Sequence, residues 1–300
     1  MIILKLGGSV LTNKDSNYAE INHKNLNRIA NEIQNFLSIK DSNHEISDGL
    51  IIIHGAGSFG HPPAQKYQIG KAFTMEEYPK KRMGFSKTQN CVKKLNSIIC
   101  EHFISKNIPC VSIQPSSFIT TNNKRINSFN LDIIEKYLDE GFIPVIYGDV
   151  VLDSNLKIAV LSGDQILTYI AKNINFNKIN KIILGTDVDG VFTKNPKKHK
   201  DGKLIEKLSS LEDLELLDST TNIDVTGGMI GKINELFKLA DLGIESKIIN
   251  ANKKGLIFKA LVDNEVKGSL ITKNKWKSII KIIFTIYKSY LNNFSISRNK

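Results

Sequence analysis

The chain has 300 residues, 41% of them hydrophobic and 24% charged, which is typical of a globular protein and argues against wholesale disorder. Its longest apolar runs, such as 49–53 and 279–287, are far shorter than the ~20 residues that a membrane span needs, and residues 1–6 lack the layout of a signal peptide. Three cysteines without a C-x-x-C pair argue against a disulfide framework or a zinc ribbon and predict a reducing, cytoplasmic location.

The net charge of +11 is unevenly distributed along the chain. Residues 274–300 contribute +6 of it, and residues 1–273 contribute the remaining +5. A basic balance suits an anionic partner such as a nucleotide, a phosphate ester, a nucleic acid or an acidic membrane. A coding preference that enriches Asn, Ile and Lys accounts for the same bulk charge without any function.

Apolar strand-like runs alternate with segments of helical period along the chain. This alternation predicts an α/β fold with a central, mostly parallel sheet, in which ligands bind beyond the carboxyl ends of the strands. The predicted strands are 2–6, 50–54, 110–113, 142–147, 157–160, 181–185 and 246–250. The predicted helices are 24–37, 84–106, 130–140, 164–173, 208–217 and 228–242.

The first glycine-rich turn directly follows a predicted strand. Lys5 closes that strand and is followed by Gly7, Gly8 and Ser9. Glycines here let backbone N–H groups approach an anion without a Cβ in the way. The alternative is a plain glycine turn after a buried strand.

The second turn, His54-Gly-Ala-Gly-Ser-Phe-Gly-His61, has the G-x-G-x-x-G spacing that places a pyrophosphate on a helix N-terminus. A dinucleotide fold then needs a second strand ending in an acidic residue about 20 positions on, and the stretch around Glu76 contains no apolar strand. The dinucleotide interpretation therefore fails, whereas phosphate binding remains. His54 fits a core or turn residue, and His61 is placed to donate to a phosphate oxygen.

Two segments carry acidic residues at turns. Ser162-Gly-Asp-Gln165 opens a predicted helix, where Asp164 either favours the helix dipole or orients catalytic lysines. Gly185-Thr-Asp-Val-Asp-Gly190 leaves a strand, and its Asp187 and Asp189 are turn residues, ribose contacts or metal ligands.

The last glycine-rich loop is Asp224-Val-Thr-Gly-Gly-Met-Ile-Gly-Lys232. It is not a Walker A loop, because Thr226 and Ile233 stand where that motif has Gly and Ser or Thr. A Gly-Gly turn at a helix N-terminus is still a good anion site. With Lys5, Lys14 and Lys232, these turns supply the positioning and charge neutralisation that phosphoryl transfer requires.

In this order, the segments resemble those of the amino acid kinase superfamily, and within it those of the archaeal-type isopentenyl phosphate kinases. The resemblance spans residues 1 to about 273, and its narrowest block is Gly-Ala-Gly-Ser-Phe-Gly-His61, whose histidine marks the phosphate-accepting branch. The other matching motifs are Lys5-Leu-Gly-Gly-Ser9 with Lys14, Tyr147-Gly-Asp-Val-Val151, Ser162-Gly-Asp-Gln165, Gly185-Thr-Asp-Val-Asp-Gly-Val191 and Asp224-Val-Thr-Gly-Gly-Met229 with Lys232.

The resemblance implies a three-layer αβα sandwich, usually homodimeric, with ATP and Mg²⁺. It implies direct in-line transfer of the γ-phosphoryl group to isopentenyl phosphate, giving isopentenyl diphosphate for isoprenoid synthesis by an alternative mevalonate pathway. Mg²⁺ would be held mainly by the ATP phosphates rather than by protein ligands. Nucleic acid would not be a partner.

The resemblance also assigns residues to roles. ATP would be held by Lys5, Gly7, Gly8, Ser9, Gly57, Asp187, Gly190, Gly228 and Lys232. The acceptor phosphate would be held by Ala56, Gly60, His61 and Gly163. Lys14 would neutralise the transferring group, and Asp164 would orient Lys5 and Lys232.

A phosphate acceptor agrees with the residues of the site. A phosphate monoester has a second pKa of about 6, so it is mostly dianionic at pH 7 and needs no general base. Its difficulty is repulsion from the ATP phosphates, which cations and N–H dipoles must offset. We therefore expect His61 to donate a hydrogen bond to the acceptor phosphate and not to act as a base.

The isopentenyl tail needs an apolar slot. Candidate residues are Met83, Phe85 and Cys91 on a helix and Ile143 and Ile146 on a strand, and the same residues fit an ordinary core.

The resemblance ends near Lys273, and residues 274–300 are predicted to be a basic amphipathic extension beyond the kinase domain of residues 1–273. An apolar helical face that includes Trp276 and Tyr287 fits a last helix packed on its own domain or on a dimer partner. A basic amphipathic helix on an anionic membrane is the alternative.

Other functions remain open at this point. A related kinase would act on a phosphonate, a nucleoside monophosphate or an amino-acid carboxylate, and of these a phosphonate kinase would also use His61. A non-catalytic nucleotide sensor on the same fold would have no need of the lysine set. A nucleic-acid-binding module is suggested by charge alone, without interleaved basic and aromatic residues.

Overall fold

A computed structural model describes residues 1–13, 19–42, 49–174, 179–210, 227–262 and 265–273. The strands are β1 (Ile2–Leu6), β2 (Leu50–His54), β3 (Cys110–Ile113), β4 (Thr120–Asn122), β5 (Arg125–Ser128), β6 (Ile143–Tyr147), β7 (Asp149–Asp153), β8 (Lys157–Leu161), β9 (Lys181–Thr186), β10 (Val191–Phe192), β11 (Leu204–Ile205), β12 (Lys207–Leu208), β13 (Ser246–Asn250) and β14 (Ser269–Ile271). The helices are α1 (Gly8–Leu11), α2 (His23–Ser42), α3 (Gly57–Lys66), α4 (Tyr78–Ile104), α5 (Asp132–Asp139), α6 (Gly163–Asn173), α7 (Gly227–Ala240) and α8 (Leu256–Val262), and Pro115–Ser117 form a 3-10 helix.

The central layer is an eight-stranded sheet in the order β12-β14-β13-β9-β1-β2-β6-β3. The six strands from β13 to β3 are parallel to their neighbours, and β14 runs antiparallel to β13. The predicted parallel sheet is therefore confirmed. Strand β1 lies between β2 and β9, with Leu6 in register with His54 on one side and with Gly185 on the other.

Neighbouring residues of β1 and β2 face opposite sides of the sheet, so both strands are buried on both faces. Leu4 and Ile52 join one hydrophobic cluster, with α2, α4 and α8. Ile3 and Ile51 join the other cluster, with α5, α6 and α7. These two cores explain why the strand sequences read as continuous apolar runs, and they give the three-layer αβα sandwich.

A smaller sheet in the order β5-β4-β7-β8 lies beside the central layer, and β10 pairs with β11 in a separate antiparallel hairpin. Strands β7 and β8 of the smaller sheet directly follow β6 in the chain. Within the smaller sheet, Asp153 accepts hydrogen bonds from the Thr121 hydroxyl and from the backbone N–H groups of Lys124 and Leu156. This carboxylate therefore ties the β4–β5 turn to the β7–β8 turn.

Two predicted helices differ from the structure. Helix α4 begins at Tyr78 rather than at residue 84, because Pro79 suits the first turn of a helix. The helix predicted at 208–217 is wrong at its start, since Leu208 lies in β12 and pairs with Ile271. The rest of that segment, Lys14 and residues 274–300 lie outside the described residues.

Within the described ranges, no helix is both long enough and apolar enough to cross a membrane.

Candidate active site

The glycine turns after β1 and β2 touch each other backbone to backbone. A Cβ on Gly8 would lie 2.4 Å from the Gly57 nitrogen, and a Cβ on Gly55 would lie 2.8 Å from the Gly8 nitrogen. The Gly55 N–H donates to the Leu6 carbonyl at 3.0 Å, which holds the second turn against the first strand. Glycine at both positions therefore allows the two turns to share one wall.

Thr12 fastens the two turns together. Its hydroxyl donates to the Gly8 carbonyl at 2.8 Å and accepts from the Ser58 N–H at 3.0 Å. Helix α3 begins at this point, with Gly57 at a φ of +51°, a backbone angle that residues with a side chain rarely adopt. The two turns and the start of α3 are therefore held as one unit.

The start of α6 completes this wall. Ser162 caps the helix by accepting a hydrogen bond from the Gln165 N–H at 3.2 Å. A Cβ on Gly163 would lie 3.2 Å from the His54 carbonyl oxygen and 3.3 Å from Lys5 Cε. The absence of a side chain at Gly163 lets the helix start approach both β1 and β2.

Lys5 and Asp164 form the buried ion pair at the centre of the site. Lys5 Nζ lies 2.7 Å from Asp164 Oδ1, and their side chains are 5% and 18% exposed. The distance is that of an ion pair, whereas the contact lacks the angles of a directed hydrogen bond. The Lys5 ammonium group extends from β1 and pairs with Asp164 in the first turn of α6. It is thus fixed in place and can still interact with a bound anion.

Lys232 and Gly228 lie in the first turns of α7, where the Lys232 Nζ donates to the Gly228 carbonyl at 2.9 Å. Asp187 follows β9 and forms an ion pair with Lys197. Gly190 has a φ of +152°, and a Cβ there would lie 2.4 Å from the Ser269 hydroxyl. These residues bring the carboxyl end of β9 and the start of α7 to one side of the site.

Asp189 is held away from this group. It accepts hydrogen bonds from the Asn250 amide at 2.9 Å and from Lys253 Nζ at 2.8 Å, and Lys267 lies 3.2 Å away. Burial raises the pKa of Asp189, and these partners outweigh it and lower the pKa to about 2. Among the alternatives for Asp189, these contacts favour a structural turn residue.

One cleft of about 1430 Å³ is lined by all these elements. Every predicted site residue within the described ranges lines it, and Lys14 lies outside those ranges. The predicted residues that line the cleft are Lys5, Gly7, Gly8, Ser9, Ala56, Gly57, Gly60, His61, Gly163, Asp164, Asp187, Gly190, Gly228 and Lys232.

At the α3 end of the cleft, the backbone nitrogens of Ala56 and Gly163 lie close to Gly148. A Cβ on Gly148 would fall 3.2 Å from the Gly163 nitrogen, 3.4 Å from the Leu161 carbonyl oxygen and 3.8 Å from the Ala56 nitrogen. His61 projects from α3 into the same cleft. Gly60 packs tightly, since a Cβ there would lie 2.8 Å from Val92 on α4.

An apolar wall continues from this point, formed by side chains of α3, α4, β7 and β8. It comprises Phe59, Ile69, Cys91, Val92, Val150 and Val160. Of the sequence candidates for an apolar slot, Cys91 lies on this wall. Ile143 and Ile146 are buried in the two cores, which confirms the core interpretation for these two residues. Phe85 packs against the cluster of Ile69, Val150 and Ile158, whereas Met83 is exposed on α4 and fits neither role.

Asp149 lines the cleft and had no role in the sequence-based interpretation, although it lies in the Tyr147–Val151 motif. Its carboxylate accepts from the Val150 N–H at 2.8 Å and from the Ser116 N–H at 3.1 Å. Burial raises its pKa to about 6 despite these hydrogen bonds. The signal in the sequence that could have indicated a role for Asp149 was an acidic residue directly before the apolar residues Val150 and Val151.

Glu235 links the smaller sheet to α7. It pairs with Arg125 on β5 and with Lys238, each at 2.7 Å. Burial raises the pKa of Glu235, and the two cations outweigh it and lower the pKa. The helix that carries Lys232 is therefore anchored to the smaller sheet, whose strands β7 and β8 line the cleft.

An αβα sandwich with two glycine turns, a buried lysine and a second lysine on a glycine-initiated helix defines a phosphate-handling enzyme. The model of the amino acid kinase family matches residues 1–250. The chain belongs to the amino acid kinase family.

Its similar relatives include isopentenyl phosphate kinases. That of Methanothermobacter thermautotrophicus is 51% identical over 275 residues, covering 91% of this chain and 99% of that protein. That of Methanocaldococcus jannaschii is 40% identical over 277 residues, covering 90% and 98%. A solved structure of an isopentenyl phosphate kinase superposes with a TM-score of 0.79 at 47% identity, covering 91% of this chain and 100% of that one.

Proposed function

We propose that this protein transfers the γ-phosphoryl group of ATP directly to isopentenyl phosphate, forming isopentenyl diphosphate and ADP. The observation that carries the proposal is the continuity of the cleft. A lysine- and glycine-lined end at α7 and β9 joins an end with His61, backbone N–H groups and an apolar wall. Lys5 and Asp164 line the same cleft.

In this assignment the nucleotide occupies the α7 end. Lys5, Lys232 and the turn of Gly7, Gly8 and Ser9 hold its phosphates, with Gly57 and Gly228 contributing backbone contacts. Asp187 and Gly190 line the nucleoside. Backbone N–H groups and lysines are the donors that stabilise a transferring phosphoryl group, because its charge lies on peripheral oxygens.

The acceptor phosphate occupies the space between Ala56, Gly60, His61 and Gly163. Since the acceptor is already mostly dianionic at neutral pH, the site must overcome repulsion rather than remove a proton. His61 donates to a phosphate oxygen in this role. The apolar wall from Phe59 to Val160 receives the prenyl chain, which gains by leaving water.

Magnesium enters with the nucleotide in this proposal. Among the described residues no group of three His, Cys, Asp or Glu side chains is arranged to hold a metal ion. Of the carboxylates that line the cleft, Asp164 pairs with Lys5, Asp187 with Lys197 and Glu235 with Arg125. The lysines and backbone N–H groups would hold the phosphate oxygens, and Mg²⁺ bound to those oxygens would neutralise their charge.

Further parts of the proposal concern residues outside the described ranges and the assembly. Lys14 neutralises the transferring group, and Ala19, where the described chain resumes, lines the cleft. Residues 1–273 form the kinase domain, and 274–300 are an extension. The protein is a homodimer and lies in the cytoplasm, a reducing compartment that suits its three free cysteines, Cys91, Cys100 and Cys110.

The test is an ADP-release assay with Mg-ATP and a panel of acceptors. Isopentenyl phosphate, dimethylallyl phosphate, uridine monophosphate, fosfomycin and acetylglutamate are compared. We expect turnover on isopentenyl phosphate that is lost in Lys14→Ala. Turnover on another acceptor but none on isopentenyl phosphate would keep the family and overturn the substrate.

A second experiment tests the role of His61. We expect His61→Ala to raise the KM for isopentenyl phosphate or lower kcat strongly, while the KM for ATP stays near that of the wild type. His102→Ala, which removes a histidine from α4 outside the cleft, is the matched control. Unchanged acceptor kinetics in His61→Ala would contradict the assignment.

A further inference from the structure

A buried polar cluster lies directly beneath the second glycine turn and takes no part in the proposed chemistry. His54, the last residue of β2, is 0% exposed, and its ring stacks on Tyr147 with centroids 5.3 Å apart. Its Nε2 lies 3.1 Å from Asn96 Nδ2 on α4, and its Nδ1 lies 3.1 Å from the Gly55 carbonyl oxygen.

The orientation of the Asn96 amide follows from its other neighbours. The Val145 carbonyl, 3.5 Å from Nδ2, only accepts hydrogen bonds, so the amino group must lie on that side. On the other side, Oδ1 accepts from the Ser112 hydroxyl and from the Cys100 thiol. The amino group of Asn96 therefore also faces His54, and it donates to His54 Nε2.

This arrangement determines the tautomer of His54. Burial, together with the charge of Lys5, lowers the pKa of His54 to about 4 although the hydrogen bond to Gly55 raises it, so the ring is neutral at pH 7. A neutral ring whose Nε2 accepts from Asn96 carries its proton on Nδ1. His54 Nδ1–H thus donates to the Gly55 carbonyl.

The Gly55–Ala56 peptide is oriented by that hydrogen bond. In a trans peptide the carbonyl and the following N–H point in opposite directions, so a Gly55 carbonyl held by the ring turns the Ala56 N–H away from it. Ala56 lines the cleft, and its nitrogen borders the space beside Gly148 and Gly163.

We propose that His54, oriented by Asn96, is a positioning residue that aims the Ala56 N–H at the acceptor phosphate. This inference rests on the proposed function, since it names the acceptor as the anion in that space. His54 acts through the peptide and does not touch the substrate. A residue that only filled the core would affect stability and leave the acceptor KM unchanged.

Two substitutions separate these roles, because each variant can keep the hydrogen bond made by a different nitrogen of the His54 ring. In His54→Asn, Nδ2 takes the place of Nδ1 and can still donate to the Gly55 carbonyl. In His54→Gln, the longer side chain reaches the place of Nε2 and can accept from Asn96, but the donor to Gly55 is lost. Both variants lose the ring stacked on Tyr147, so both lose similar packing.

Steady-state kinetics with both substrates and thermal unfolding are measured for the wild type and the two variants. We expect the KM for isopentenyl phosphate to rise by about tenfold more in His54→Gln than in His54→Asn, the loss expected for one hydrogen bond to a charged group. The KM for ATP should change equally little in both variants, and both should lose similar stability.

Equal acceptor KM values in the two variants would overturn the positioning role of His54 while leaving the proposed function intact. A wild type that is inactive on isopentenyl phosphate would instead overturn the proposed function.

If the variants do not fold, a measurement on the wild-type protein still tests the inference. In ¹⁵N-histidine-labelled protein at pH 7, the nitrogen chemical shifts of His54 should be those of a neutral ring protonated at Nδ1. Protonation at Nε2, or a charged ring, would overturn the inference.

Discussion

Replacing Gly8 with alanine tests whether contact between the two glycine turns shapes the active site. The new Cβ would lie 2.4 Å from the Gly57 nitrogen and 2.5 Å from Gly57 Cα, where ordinary contacts begin at 3.4 Å. Both neighbours are backbone atoms, so no side chain can rotate away. The turns must separate by about 1 Å, the difference between the ordinary contact distance and the distance of the new Cβ from Gly57.

A displacement of this size is large on the scale of phosphoryl transfer. Misplacing reacting groups by about 1 Å can cost about 100-fold in rate, because the catalytic groups no longer meet the transferring phosphoryl group. We therefore expect Gly8→Ala to lower kcat by about 100-fold at saturating substrates.

The assay is coupled ADP release, with thermal unfolding measured on the same samples. Gly141→Ala is the matched control, because Gly141 has a φ of +78° and nothing within 4 Å of its would-be Cβ. That control should lose about 1–2 kcal/mol of stability from left-handed strain and keep its activity. A Gly8→Ala enzyme with near-normal kcat would refute the claim that the turns must touch.

Asp164→Asn leaves the buried Lys5 charge unpaired, so the free energy of unfolding should fall by about 3–5 kcal/mol. Bound nucleotide should stabilise this variant more than it stabilises the wild type. Thermal shifts with and without a non-hydrolysable ATP analogue measure both effects. Burial raises the pKa of Asp153, but hydrogen bonds outweigh it and lower the pKa to about 2, so its stabilising contribution is present above about pH 4 and is lost as pH falls through about 2. Asp153→Asn should therefore destabilise the protein at pH 7 in urea unfolding and flatten the acid side of the stability profile. Arg125→Ala should cost no more than about 1 kcal/mol, because Arg125 is 53% exposed and Lys238 still pairs with Glu235, whereas Glu235→Ala should cost clearly more in the same assay.

Six of the eight strands of the central sheet could be predicted because they are short apolar runs followed by turns, whereas the two- and three-residue strands β12 and β14 were missed. Runs such as 2–6 and 50–54 are buried on both faces, and the boundaries of β1 and β2 agree with the prediction. Strands β4 and β5 were missed, since Thr120–Asn122 and Arg125–Ser128 are short and polar and pair partly with residues far along the chain. Helix α3 was hidden by its glycines and by Pro62 and Pro63.

The candidate site was more predictable from motifs than from secondary structure. Glycines after β1 and β2 carried a clear signal, because the carboxyl ends of neighbouring parallel strands meet at one edge of the sheet. The sequence could not reveal that Gly8 and Gly57 touch, since that contact depends on strand order. The partners of His54 were equally hidden, because Asn96 comes from the middle of a long helix.

The proposed reaction is direct transfer of a phosphoryl group from ATP to a phosphate monoester. ³¹P NMR of the protein with Mg-ATP and isopentenyl phosphate follows every phosphorus atom through that reaction. We expect the monoester singlet to disappear as two coupled doublets of a diphosphate ester grow in step with ADP. An unchanged monoester, or inorganic phosphate accumulating with ADP, would contradict it.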